Sequence, residues 1–146
     1  MVYQSYVFEI NDWEPTYSFG LDRAYHRKGP YIEYLELSLS STLIAPTKLK
    51  GRGATILLLA SRRDVQRLER PDSDNQEPIG VGELTIRGDR MEYLGGLPYD
   101  AVWGMAAALA AGRIQMCVLR GIALKRGKAK IESAHFEREV DLEEWM

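Results

Sequence analysis

Cysteine is almost absent from this chain of 146 residues: Cys117 stands alone. An intrachain disulfide is therefore impossible, and a zinc site built on several thiolates is excluded. Long apolar runs are missing as well. The longest, from Ala101 to Gly112, has 12 residues, well short of the roughly 20 that a membrane-spanning helix needs. The first residues, Met1-Val2-Tyr3-Gln4-Ser5-Tyr6, have neither a basic start nor an apolar h-region, so they do not read as a secretory signal. No charge of either sign dominates: 19 Lys and Arg against 21 Asp and Glu leave a net charge of −2. That exerts no global pull towards nucleic acid or acidic lipid. Repeats, low-complexity tracts and interdomain linkers are also lacking. Together these absences predict one soluble domain in a reducing, cytoplasmic setting with no membrane partner.

What is present is alternation with a period of two. In 34–43, Leu35, Leu37, Leu39 and Leu43 alternate with Glu36, Ser38, Ser40 and Thr42. That is the pattern of a strand with one buried and one wet face. Segment 54–60 is apolar on both faces, as in a central or covered strand. Leu84 and Ile86 point inward in 79–86, and Gly88-Asp89 turns the chain into 91–94. Ile114, Met116, Val118, Ile122 and Leu124 mark a strand over 113–125, and Arg126-Gly127 turns it into 129–137. Near the start, Tyr6, Phe8 and Ile10 and then Tyr17, Phe19 and Leu21 read as a hairpin bent at 13–16. The sum is about eight strands at spacings typical of a sandwich or barrel.

One helix is expected, at 98–112. Pro98 suits its first position, Asp100 suits its positive end and Gly112 stops it. Asp100 is its only charge, so it reads as a core element, with Gly104, Ala108 and Ala111 allowing close approach to a sheet. The competing reading leaves Trp103 exposed for a partner. The expected fold is thus mainly β: an antiparallel sandwich or partly open barrel with one apolar helix. The alternative is an α+β fold in which that helix covers a sheet face. The domain spans 1–136, with a long polar loop at 62–78. An acidic tail, 137–146, carries five acids and one arginine around Leu142 and Trp145.

Signatures of catalysis are scarce. Gly80-Val81-Gly82 lacks the remainder of a phosphate-binding loop, and Gly51-Arg52-Gly53 reads as a turn. His26 and His135 show no metal-binding spacing, although His135 and Glu137 share a strand face. Cys117 sits in mid-strand at a position opposite the apolar set, with no adjacent cation to activate it. No cofactor is expected. The most distinctive polar stretch is 22–31, where Arg23, Tyr25, His26, Arg27 and Lys28 combine cations with rings that stack on bases. Basic residues recur at Lys48, Lys50 and Arg52, and again at Lys125, Arg126, Lys128 and Lys130. They would form a positive rim if those turns lay at one end of the domain together with the 23–28 loop.

Without a catalytic constellation, the expected function is a non-catalytic binding or assembly module. It would engage a protein partner or a second copy through Trp103, Leu142 and Trp145. Two alternatives stand beside it. One is a small-molecule carrier or enzyme with an interior pocket anchored by Tyr25, His26, Glu33 or His135. The other is an anion or nucleic-acid binder acting through the basic loops.

Overall fold

The computed structural model describes residues 2–21, 31–60 and 80–145. Seven strands close into a barrel: β1 (Tyr3–Leu21), β2 (Tyr31–Ala45), β3 (Gly53–Ala60), β4 (Gly82–Arg87), β5 (Arg90–Leu97), β6 (Met116–Ile122) and β7 (Lys128–Glu137). Their order around the barrel is β1-β2-β3-β5-β4-β7-β6, with β6 returning to β1. All neighbouring pairs are antiparallel except β3 and β5, which run parallel. The mainly β architecture matches the alternation, whereas the sandwich and the open barrel give way to a closed one. Closure removes the sheet edges that an open form would expose.

The strand count falls from eight to seven because the first two expected strands are one. Ile10 lies opposite Ser41 but Asp12 opposite Ser40, so Asn11 is an extra residue, a β-bulge. The bulge switches the inward set from even residues (Tyr6, Phe8, Ile10) to odd ones (Trp13, Pro15, Tyr17). A change of parity read from sequence as a hairpin bend is therefore a bulge inside a 19-residue strand. Pro15 is tolerated because, beyond residue 10, β1 pairs only with β2.

Inside the barrel, Leu35, Leu37, Leu39 and Leu43 of β2 are buried, as their alternation requires, together with Ile56, Leu58, Leu84, Met91, Tyr93 and Ile131. β6 departs from expectation. Cys117 and Leu119 belong to this interior cluster, and Val118 faces the other way. Val118 is nonetheless buried, because with Val7 and Ala45 it forms a second cluster covered by Val140 and Trp145. The strand is also shorter than 113–125, spanning Met116–Ile122.

Helix α1 (Tyr99–Ala110) follows β5, with Pro98 as its N-cap rather than its first helical residue. Its buried residues, Val102, Met105 and Leu109, join the interior cluster, so it seals one end of the barrel instead of covering a sheet face. It is not apolar-buried all round: Trp103 is 46% exposed. Gly104 does not serve close packing either, since a Cβ built on it meets nothing within 4 Å. The tail ends in a single helical turn, α2 (Leu142–Trp145).

Candidate functional site

The topology sorts the connections by end. At one end, three short connections join neighbouring strands: β2 to β3, which contains a 3-10 turn at Thr47–Leu49, β4 to β5 and β6 to β7. The last has Arg126 and Gly127 both at positive φ (55° and 77°), the geometry of a two-residue hairpin turn. At the other end lie α1, the close of β3, and the far half of the β1–β2 ribbon. Each end carries a surface of its own.

At the helix-sealed end, β1 and β2 outrun their neighbours. Among the described residues, β2 pairs with β3 only from Leu35 onward, and Ser18–Leu21 and Tyr31–Tyr34 pair only with each other. Residues directly opposite share a face. Tyr17, Phe19, Leu21, Tyr31 and Glu33 thus continue the inward face of the barrel past the last β2–β3 pair, and all five are exposed. Phe19 is 62% exposed and Tyr31 63%. Their rings stack at 5.4 Å with an interplanar angle of 13°. Tyr17 meets Trp103 of α1 at 5.8 Å, which joins ribbon and helix into one aromatic surface. The Tyr17 phenol donates to Glu33 Oε2 at 2.8 Å. That bond, followed by desolvation and the nearby negative charge, holds the Tyr17 phenol above its ordinary pKa, so it stays neutral. On the opposite face, Tyr34 donates to Glu36.

At the hairpin end, the three turns bring cations together. The β2–β3 turn supplies Lys48, Lys50 and Arg52; the β4–β5 turn, Arg87 and Arg90; the β6–β7 turn, Lys125, Arg126 and Lys128. Asp89 is the only carboxylate in these turns. Arg52 Nη1 donates to the Gly88 carbonyl at 3.0 Å, and Arg90 Nη2 to Thr55 Oγ1 at 3.3 Å. The first bond ties the β2–β3 turn to the β4–β5 turn, and the second ties the start of β5 to β3. Lys130 lies two pairs further along the wall than Lys128, opposite Glu83.

Arg23, Tyr25, His26, Arg27 and Lys28 lie outside the described residues, as does the loop 62–78. Leu21 and Tyr31, which flank residues 22–30, are at the end opposite the basic turns. Trp103 belongs to the aromatic surface. Leu142 is partly exposed on α2, whereas Trp145 packs on the outer wall against Val7 and Val118, with its ring 4.8 Å from that of His135. Trp145, with Val140, thus covers an apolar strip of the outer wall, and Leu142 does not.

Glu33 is exposed on the ribbon and His135 lies on the outer wall, so these two do not converge inside the barrel. Among the described residues, no group of three or more His, Cys, Asp or Glu is placed to hold a metal ion. No helix among them is long and apolar enough to cross a membrane. Cys117 is fully buried, and desolvation pushes its thiol far above the ordinary range. A thiol held protonated in an apolar interior is a packing group rather than a nucleophile. Alternation in the sequence flagged Tyr17, Phe19 and Leu21, but as inward-facing residues. Nothing in it signalled that their strand passes the rim.

The fold and its surfaces define a closed, seven-stranded mixed barrel with a helical seal at one end. The chain matches no protein-family model, no curated protein and no solved structure.

Proposed function

We propose that this protein is an assembly module that pairs with a second copy of itself through the aromatic face of the β1–β2 ribbon and Trp103. One observation carries this reading: a contiguous exposed surface formed by Tyr17, Phe19, Leu21, Tyr31 and Trp103, each about half exposed or more. Large side chains of this kind bury about 150–250 Å² each, so the exposed portion is on the order of 500–600 Å². The largest apolar patch of an ordinary monomer is about 300–600 Å². A stable interface takes about 800 Å² from each partner. The face therefore supplies most of what a dimer needs before its polar rim is added.

The chemistry of the face favours a second copy as its occupant. Among its described residues, Glu33 is the sole carboxylate and is engaged by the Tyr17 phenol, which leaves little charge for a charged partner to read. Homodimer interfaces are the more apolar class, and a two-fold axis lets one flat aromatic stack meet its own copy. Sedimentation velocity over micromolar concentrations tests the reading. Wild type is expected at twice the 16.6 kDa chain mass. Phe19→Asp with Tyr31→Asp is expected at the chain mass, with its melting temperature kept, because both residues lie outside the core. Wild type that sediments as a monomer throughout overturns the proposal.

A further inference from the structure

We propose that the hairpin end of the barrel binds the phosphate backbone of single-stranded nucleic acid. This site is separate from the aromatic face and lies at the opposite end of the molecule.

A chain with net charge −2 places eight cations and a single carboxylate in three short turns and the strand ends that flank them. The sequence separates those turns by up to some eighty residues, and the barrel order sets them side by side around one rim. Clustering of one sign at a rim raises the local concentration of the opposite charge. The two arginine hydrogen bonds to Gly88 and Thr55 hold the β2–β3 and β4–β5 turns in place. Each of these guanidiniums uses one donor nitrogen in its bond, and the remaining N–H groups of the fork suit phosphate oxygens.

The kind of polyanion follows from what accompanies the cations. A lipid surface is met by apolar side chains that enter it beside the cations. Val2, whose carbonyl accepts from the Ala123 N–H beside the β6–β7 turn, is exposed at this end, but the three turn tips themselves carry no exposed large apolar side chain. They present Thr47, Gly51, Gly88 and Gly127 instead. On the adjoining wall at this end, Tyr3 is exposed and pairs with Ile122 at the start of β1. A tyrosine ring beside phosphate-binding cations offers a stacking platform for an unpaired base. A ring of hairpin tips, by contrast, provides no helix or long ribbon to enter a duplex groove. Single strands are therefore the favoured ligand.

The test is fluorescence anisotropy with a labelled 20-nucleotide oligouridylate at 50 and 200 mM salt. If about four phosphates are neutralised, affinity should fall about 50-fold between the two conditions, because single strands lose affinity with a slope near −0.7 per phosphate. Lys50→Glu with Arg126→Glu and Lys128→Glu should weaken binding at 50 mM salt by more than tenfold, with the melting temperature unchanged. If that variant melts early, Lys50→Gln with Lys128→Gln takes its place and should weaken binding several-fold. Phe19→Asp, at the far end, should bind as wild type does. Four results overturn the proposal: no binding at 50 mM salt, binding indifferent to salt, variants equal to wild type, or binding to phosphatidylserine vesicles without binding to the oligonucleotide.

Discussion

Replacing Gly95 by alanine should destabilise the barrel, whereas the same replacement at Gly104 should stabilise it. A Cβ at Gly95 would lie 2.3 Å from the Tyr93 hydroxyl oxygen and 2.6 Å from two ring carbons. A Cβ at Gly82, the residue opposite, would meet the same ring at 2.4 to 2.6 Å. The Tyr93 ring thus lies flat across two paired glycines inside the barrel. Carbon atoms rest about 3.5–4.0 Å apart, so the ring would have to shift by about 1 Å or more. Buried neighbours such as Leu84 and Met91 share that interior. Overpacking of this kind costs about 1–3 kcal/mol. Alanine recovers about 0.4–1 kcal/mol by restricting the unfolded chain. The net loss is about 1–2 kcal/mol, which for a chain of this length lowers the melting temperature by roughly 3–8 °C. Gly104, in the exposed face of α1 with nothing near its Cβ, should gain about 0.5–1 kcal/mol from the helix preference of alanine. Thermal melts by circular dichroism measure both. Gly95→Ala melting at or above wild type would refute the placement of Tyr93 over the glycines.

Trp145→Ala should cost about 1–3 kcal/mol by uncovering Val7 and Val118, while Leu142→Ala, at a more exposed site, should be close to neutral; denaturant midpoints compare them. Stability should also fall in alkali. Desolvation, aided by the nearby Cys117, raises the Tyr93 phenol above its ordinary 10.0, and desolvation raises the Cys117 thiol above its ordinary 9.0. A raised acid favours its neutral form, so this stability is complete below the unfolded values and is lost as pH climbs past about 9 to 10. Melts from pH 7 to 11 should show that loss, and Tyr93→Phe with Cys117→Ala should reduce it. An identical pH profile for the double variant would contradict the assignment.

Much of the barrel wall was legible because burial on one face leaves an alternating trace. Leu35, Leu37 and Leu39 declare their face without help, and the Gly88 and Arg126-Gly127 turns mark two hairpins. β6 was misread because both its faces are buried: Cys117 and Leu119 by the barrel, Val118 by the tail. A strand covered on both sides carries no sign of which way is in. β1 was split because a bulge and a turn leave the same change of parity, and only pairing with β2 tells them apart. Closure and the parallel β3–β5 pair had no local signature, since they depend on which strands meet after long connections. The same limit hid both candidate surfaces. The aromatic face uses inward-patterned residues on strands that outrun the core. The basic rim exists only once three turns are placed at one end, a convergence that the lysine and arginine spacing posed as a question.

The two-fold meeting of aromatic faces is tested most directly by disulfide trapping. Cys117 is fully buried and its thiol is held protonated, so a thiol introduced on the surface is the only reactive one. Phe19→Cys, alone and mixed with Tyr31→Cys, places thiols on the ribbon, and Lys50→Cys places one at the hairpin end. Under mild oxidation at micromolar concentration, the ribbon thiols should give a covalent dimer within minutes on a non-reducing gel, and Lys50→Cys should remain monomeric. Equal trapping at both ends, or none at the ribbon, would contradict the account.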